Sequence, residues 1–418
     1  MHKSEVIKNL VIVGNGMAAG KMVDELLAGG AKAKFSITVI GDEIHGSYNR
    51  IMLSSVLAGE TTVPAIVHKN QQWYLENDIR FLPGVRVDRI DPERKLLLCS
   101  NDQTLAYDHV IMATGAKPTR IPAENQRLHN IMTFRTIDDV ETILNLSMTA
   151  RKAIVVGGGL LGLEAAYGMA VRGLDVVLVH RSHYLLNRQL DPASAAMLAE
   201  VMALKGVNFR LGCEVVRFFG SEKVEGAELD TGEVLPSDVV VIATGITPNA
   251  ELGLDAGLAG KRGIDVSDYL ETSDASISAI GECVEHRGQT FGLVEPIWQH
   301  CSVLAERLLN GTQDARFENM PVATKLKVSG VQVFSAGQWL TTEGVHEWVY
   351  SDESSKVYRK LLLKDGCIVG IVFFGDVRDG QYFFELMQER VKVTEFMPQL
   401  LMGRAFCENL PQNDVNVA

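Results

Sequence analysis

The chain has 418 residues, with 40 Lys+Arg against 52 Asp+Glu and a formal net charge of −12. Apolar residues make up 46% and charged residues 22%, an ordinary globular composition that excludes a disordered chain and a coiled coil. No Lys/Arg cluster is present, so no nucleic-acid partner is expected.

The length implies more than one core at roughly 100–200 residues per domain. Cys99, Cys213, Cys283, Cys301, Cys367 and Cys407 are scattered, with no C-x-x-C and no Cys/His grouping. That pattern suits a reducing compartment and predicts neither a disulfide framework nor a bound metal. Near the start, Lys3 and Lys8 precede an apolar run at 10–13. The run is too short for a signal-peptide core, and glycines follow at once.

Residues 10–13 instead read as a strand buried on both faces. Gly14-Asn15-Gly16-Met17-Ala18-Ala19 then opens a helix, and 36–40 form the next strand. This is a βαβ unit carrying G-x-G-x-x-A. A pyrophosphate needs backbone N–H donors at a helix start. Gly14 permits the turn, Gly16 lets the phosphates approach, and Ala19 allows close helix–strand packing. Asp42 and Glu43 follow the second strand and are expected to accept hydrogen bonds from ribose hydroxyls, as for FAD or NAD. They lie further from Gly14 than the usual spacing of about 20 residues. The competing reading is an acidic turn.

The strand ending Ala113-Thr114-Gly115 is echoed by the one ending Ala243-Thr244-Gly245, and Pro118 and Pro248 follow at the same distance. Each strand is expected to run into a non-helical connection between two nucleotide-binding domains.

Residues 153–171 are long enough to cross a membrane, but Gly157, Gly158, Gly159, Gly162 and Glu164 interrupt them. They read as strand, turn and helix, a second G-x-G-x-x-G unit, with 175–179 as its next strand. Two such loops in one chain raise the weight of a motif that is weak alone. After that strand come His180 and Arg181, with Arg188 nearby, where an NAD site usually has an acid. Cations there suit a 2′-phosphate, so the expectation leans to NADPH, or to use of both NADPH and NADH. A solvated basic turn is the alternative.

Pro296-Ile297-Trp298-Gln299-His300 is expected to precede a helix at 301–309. Beyond about residue 320, strands are predicted at 325–334, 357–363 and Cys367–Phe374, a helix at 381–390, and frayed residues at 411–418. The fold class is therefore α/β: two Rossmann-like dinucleotide-binding domains, the NAD(P) domain inserted in the FAD domain, plus a small α+β C-terminal domain. The boundaries expected are 1–116 and 246–319 for FAD, 117–245 for NAD(P), and 320–418 for the tail. A cytoplasmic protein with no membrane partner is expected.

Together these features resemble the two-dinucleotide-domain flavoprotein reductases of the pyridine nucleotide–disulfide oxidoreductase superfamily, over essentially the whole chain. Tyr48-Asn49-Arg50 with Leu53-Ser54, Phe134-Arg135, and Ile280-Gly281-Glu282-Cys283 look like its FAD motifs. The resemblance implies that Glu282 binds the ribityl chain and that Arg50 and Arg135 meet FAD phosphates or ring edges. It also counts Val85, Thr114, Gly115, Gly281, Trp298 and Gly245 among the cofactor-binding residues. Gly46 to Ala58 contain no cysteine, so thiol–disulfide exchange is not expected. Ser55 stands where ferredoxin reductases usually have a Lys that pairs with the Glu corresponding to Glu164. These two are the candidate catalytic positions.

Gly14-Asn15-Gly16-Met17, Tyr48 to Ser55, Arg188-Gln189-Leu190-Asp191 and Lys325 to Val331 are more narrowly similar to the reductase part of NAD(P)H-nitrite reductase large subunits. They are equally similar to electron-transfer flavoproteins of assimilatory nitrate reduction. The implied activity is hydride transfer from NAD(P)H to FAD, then single electrons to an iron–sulfur or molybdenum redox partner. The iron–sulfur and sirohaem modules of nitrite reductase need further cysteines, so this chain is expected to be the input half only. A homodimer through the C-terminal domain is an expectation by analogy. Two other readings stand beside this one. The first is a rubredoxin or ferredoxin reductase of an oxygenase system. The second is a flavin-binding NAD(P)H sensor.

Overall fold

The structure, a computed structural model, describes residues 7–312, 314–328, 330–394 and 397–406. Lys3, Ser329, Cys407 and the expected frayed stretch 411–418 lie outside them. The chain divides into two compact units. One comprises Met1–Thr119, Arg135–Glu141 and Gly245–Asn319; the other comprises Arg120–Phe134, Thr142–Thr244 and Met320–Ala418.

In the first unit the buried run becomes the strand Lys8–Val13, central in a five-stranded parallel sheet. The order is Ile277–Ala279, His109–Met112, Lys8–Val13, Phe35–Gly41, Arg80–Pro83. Leu10, Val11, Ile12 and Val13 are all buried, because a parallel strand is covered on both faces and reads as continuously apolar. The helices Met17–Ala28 and Val294–Asn310 pack side by side. A Cβ on Gly29 would lie 2.2 Å from Leu309 Cδ1.

The two proline-marked connections do more than avoid helix. Ala116–Pro118 and Ile246–Pro248 pair antiparallel, Ala116 opposite Pro248. A three-stranded meander, Val87–Asp91, Leu96–Cys99 and Thr104–Ala106, also belongs to this unit and has no counterpart in the sequence expectations.

The second unit has a similar five-stranded sheet, but its outer strand Ile131–Thr133 comes first in the chain where the first sheet's Ile277–Ala279 comes last. Its order is Ile131–Thr133, Val239–Ile242, Lys152–Val156, Asp175–His180, Val207–Leu211, all parallel. The same unit holds the C-terminal antiparallel sheet, ordered Thr324–Val328, Val331–Gly337, Cys367–Phe374, Val357–Lys364, His346–Asp352. The single strand expected at 325–334 is a hairpin, turning at Gly330 with φ +89°. His346–Asp352 was not foreseen. It is an edge strand with a mostly exposed face, so its sequence lacks the buried alternation that marks an inner strand. The helix Gly380–Gln388 covers the sheet with Tyr382, Phe383, Phe384 and Leu386.

Phe373 centres that core, fully buried between Phe334 and Phe383 at ring separations of 6.4 and 5.7 Å. Phe373→Ala should cost about 3–5 kcal/mol. Urea unfolding of purified protein checks this, and a loss below about 1 kcal/mol would contradict the packing described.

Candidate functional site

The glycines of each loop divide into two kinds. Gly14 has φ +111°, and a Cβ there would lie 2.2 Å from the carbonyl oxygen of Ala113. Gly157 matches it, with φ +122° and 2.3 Å to the Ala243 oxygen. These two let a tight turn pass a neighbouring strand. Gly16 and Gly159 meet nothing within 4 Å. Each is the N-cap of its helix, Met17–Ala28 or Leu160–Val171, and neither helix has a side-chain cap. Both helices therefore present unsatisfied N–H donors to open space that only a side chain at the second glycine would occupy. That is the cradle a dinucleotide pyrophosphate needs, so the residues present fit the cofactors expected. Ala19 is buried, and a Cβ on Gly162 would sit 1.9 Å from the Gly157 oxygen. Both third positions thus serve close packing.

Around the first loop, residues from distant segments converge. Glu43 accepts from the Tyr48 hydroxyl at 2.7 Å and pairs with Arg50 at 2.7 Å. Burial pushes the Tyr48 hydroxyl well above its ordinary range, keeping it a donor. Arg50 also donates to the Arg135 carbonyl at 2.8 Å, and Arg135 pairs with Glu282 at 2.5 Å. Gly115 borders that pair: a Cβ on it would lie 3.7 Å from Arg135 Nη2 and 4.0 Å from Glu282 Oε2. Asp42 is exposed beside Glu43, and Val85 N–H donates to Gly41 O at 2.9 Å. Thr114 is locked to Asn249 by two hydrogen bonds, 2.6 and 3.2 Å. Ser55 lies apart from this chain of charges and donates to Glu60 at 3.0 Å.

Three residues have supporting roles that the sequence reading did not assign. Asn15 is held by the Tyr74 hydroxyl at 2.6 Å and donates to His45 O at 3.2 Å. Asn249 follows the repeated proline, and that placement was its only sequence signal. His300 accepts from the Gly281 N–H at 3.2 Å and is fully buried, edge-on to Phe291 and Phe317. Its Nδ1 thus props the left-handed Gly281 turn, φ +87°, that presents Glu282. The helix expected at 301–309 in fact runs Val294–Asn310. Residues 296–300 are therefore its first turns and not a lead-in. Pro296 lies in the first turn, where proline is tolerated because no N–H donor is needed. Trp298 is half-buried on this helix.

In the second unit, Arg181 and Arg188 are exposed, and Gly245 is open with φ +131°. Glu164 is half-buried on Leu160–Val171. His180, read as a candidate cation, is put to another use. Its Nδ1 accepts the Gly158 N–H at 3.0 Å, and burial holds the ring below the usual histidine range, so it braces the glycine loop as a neutral group. Among the described residues no His/Cys/Asp/Glu group is arranged to hold a metal ion, and no helix is long and apolar enough to cross a membrane.

Comparison with known proteins agrees with this geometry. The profile of the pyridine nucleotide-disulphide oxidoreductases matches residues 8–306, and that of the rubredoxin NAD+ reductase C-terminal domain matches 321–391. The chain is 39% identical to nitrite reductase [NAD(P)H] of Bacillus subtilis, covering 93% of this chain and 48% of that protein. It is 36% identical to the assimilatory nitrate reductase electron transfer subunit of the same organism, covering 92% and 50%. It thus spans about half the length of the curated relatives it matches. Among solved structures, putidaredoxin reductase in covalent complex with putidaredoxin shares the fold. The TM-score is 0.83 at 24% identity, covering 95% of this chain and 96% of that one.

His300 gives a pH prediction. Burial lowers its pKa from 6.5 to about 3. The neutral ring's contribution to stability is then complete above the unfolded value. It is lost as pH falls from about 6.5 towards about 3, where the unfolded chain binds the extra proton. His300→Asn keeps an acceptor for Gly281 but cannot titrate. Its thermal midpoint should fall less steeply than wild type across that window, and parallel profiles would contradict the assignment.

Proposed function

The chain belongs to the pyridine nucleotide-disulphide oxidoreductase family, whose members are FAD-dependent NAD(P)H oxidoreductases. On that footing we propose that it is the electron-input flavoprotein of assimilatory nitrate or nitrite reduction, oxidising NAD(P)H and passing electrons to an iron–sulfur or molybdenum redox partner. The observation that carries the reductase reading is the pair of uncapped glycine-loop helices, with the Arg50–Glu43 and Arg135–Glu282 pairs in the first unit, and the nitrate or nitrite acceptor is supported by the likeness to the two Bacillus subtilis proteins. FAD held by these residues would supply the redox chemistry, as a hydride acceptor from reduced nicotinamide and a donor of single electrons.

The protein's part is binding, orientation and electrostatics. In the first unit, the N–H groups after Gly16 would hold the pyrophosphate. Asp42, with Glu43 behind it, would take the ribose. Glu282, set by the Gly281 turn, would accept from ribityl hydroxyls. Arg50 and Arg135 would offset the charge of phosphates or the ring edge. The first turns of Val294–Asn310 would direct N–H groups at the flavin. In the second unit, the N–H groups after Gly159 would hold the nicotinamide dinucleotide, and Arg181 and Arg188 would meet a 2′-phosphate. Glu164 is the proposed acid on the nicotinamide side. Ser55, engaged with Glu60, brings no cation to the site. A homodimer is part of the same proposal.

A second reading, a reductase for rubredoxin or a ferredoxin, is favoured by the C-terminal domain match over 321–391. The two share their first half-reaction and differ in acceptor. Anaerobic stopped-flow reduction with NADH and with NADPH, followed by addition of acceptors, tests both. Fast flavin bleaching with reoxidation by a nitrate or nitrite reductase partner supports the first. Reoxidation only by rubredoxin or ferredoxin supports the second, and absence of fast bleaching sinks both.

The open glycines allow separate tests, because alanine fits there without strain. Gly16→Ala should fold yet bind FAD at least about tenfold more weakly. Gly159→Ala should keep FAD and lose NAD(P)H binding by a similar factor. Equilibrium dialysis reads the first and nucleotide titration the second. Unchanged affinities would reject the loop assignments.

A further inference from the structure

The stretch from Arg181 to Asp191 is tied down at more points than its length requires. Leu186 N–H donates to the Gly158 carbonyl at 2.9 Å, so the stretch hangs from the second glycine loop itself. Leu186 holds φ +48°, rare for leucine, with Leu185 and Leu186 both buried. At the far end Asp191 caps the helix Pro192–Leu204. Its Oδ1 accepts from Ser194 N–H at 3.1 Å and Ser194 Oγ at 2.6 Å.

Capping uses one carboxylate oxygen. The other, Oδ2, accepts from the Tyr358 hydroxyl at 2.6 Å and from Lys360 Nζ at 3.1 Å. Both donors come from Val357–Lys364 of the C-terminal sheet. Asp191, Tyr358 and Lys360 are each no more than 5% exposed. Lys360 also pairs with Glu347 at 3.0 Å, and Lys356, in the turn just before that strand, pairs with Glu200 of the capped helix. Burial alone would raise the Asp191 carboxyl, but the donors from Ser194, Tyr358 and Lys360 hold it below the ordinary range. A buried lysine–carboxylate pair gives little net stability for its desolvation; its best use is to fix geometry.

We propose that the Asp191–Tyr358–Lys360 cluster is a positioning device for the nucleotide site. Through it the C-terminal sheet sets the stretch carrying Arg181 and Arg188 beside the second glycine loop, which makes Tyr358 and Lys360 positioning residues for discrimination between NADPH and NADH. The inference rests on the reading of that loop as the nucleotide site. Arg188 stands exposed between the Leu186 anchor and the Asp191 anchor, and Arg181 follows the braced His180. A shift of the Asp191 cap therefore moves the Arg188 guanidinium relative to the loop, while Arg181 is fixed from the other side by the Leu186 anchor and His180.

The test uses the flavin-loaded protein and the oxidised nucleotides NADP+ and NAD+, which bind without reducing the flavin. Tyr358→Phe removes one donor and leaves Lys360 to neutralise the carboxylate. By calorimetry its NADP+ Kd should rise roughly three- to ten-fold, while NAD+ binding and FAD affinity stay within about twofold of wild type. The paired change Asp191→Asn with Lys360→Gln, which removes both charges together, should show the same selective loss. Unchanged NADP+ binding overturns the proposal, as does equal weakening of NADP+, NAD+ and FAD, the mark of a merely structural role. Arg181→Ala with Arg188→Ala separates the two levels. If that variant leaves NADP+ relative to NAD+ unaltered, the 2′-phosphate reading fails and takes the proposal with it. If it lowers NADP+ selectively while Tyr358→Phe does not, the positioning device alone is wrong.

Discussion

The backbone of each glycine loop runs so close to a neighbouring strand that no side chain fits between them. Gly14 faces the Ala113 carbonyl, and Gly157 faces the Ala243 carbonyl. This approach aims the following helix start at the C-terminal edge of its parallel sheet. Everything placed at that edge inherits its position from the turn. In the first unit these are the acids after Phe35–Gly41, the Thr114–Gly115 turn and the Gly281 turn. Ligand sites of open parallel sheets lie outside the carboxyl ends of the strands for the same reason.

The charges gathered there share a second economy. Glu43, Arg50, Arg135 and Glu282 come from four separate segments, yet each acid is matched by a base. Half-buried carboxylates and guanidinium groups need partners. Their mutual pairing keeps the edge of the sheet from carrying uncompensated charge, and it leaves donors and acceptors of both signs facing one place. A dinucleotide, anionic at its phosphates and rich in hydroxyls elsewhere, asks for that mixture.

Much of this was legible in the sequence because repetition amplified it. Two buried runs, each leading into a spaced glycine loop, and two echoed strands with matching prolines were enough to specify both parallel sheets. In both sheets the strand before the glycine loop lies between its βαβ partner and the echoed strand, but the outer strand beyond the echoed one comes last in the first sheet, Ile277–Ala279, and first in the second, Ile131–Thr133. What escaped was set by tertiary partners and not by local pattern. Tyr74 reaches Asn15 from a short helix that has no motif. His300 reads as an ordinary helix residue until the fold brings Gly281 against it. His180 carries the residue type of a phosphate ligand, but its distance to Gly158 decides its role. The helix expected at 301–309 starts earlier, at Val294, because its first turn accommodates Pro296. The edge strand His346–Asp352 was invisible because one exposed face removes the alternation by which strands are recognised.

The division between closed glycines and open ones also bears on descent. Gly14 and Gly157 are held by the backbone they touch, whatever the loop binds, whereas among the described residues no atom lies within 4 Å of a Cβ placed at Gly16 or Gly159. A lineage that abandoned one dinucleotide would keep selecting the first glycine of that loop while the second drifted to larger residues. Loss of ligand and loss of fold would then leave different scars in the same six letters. A descendant could be recognised as an empty scaffold from its sequence alone, separately for each of the two loops.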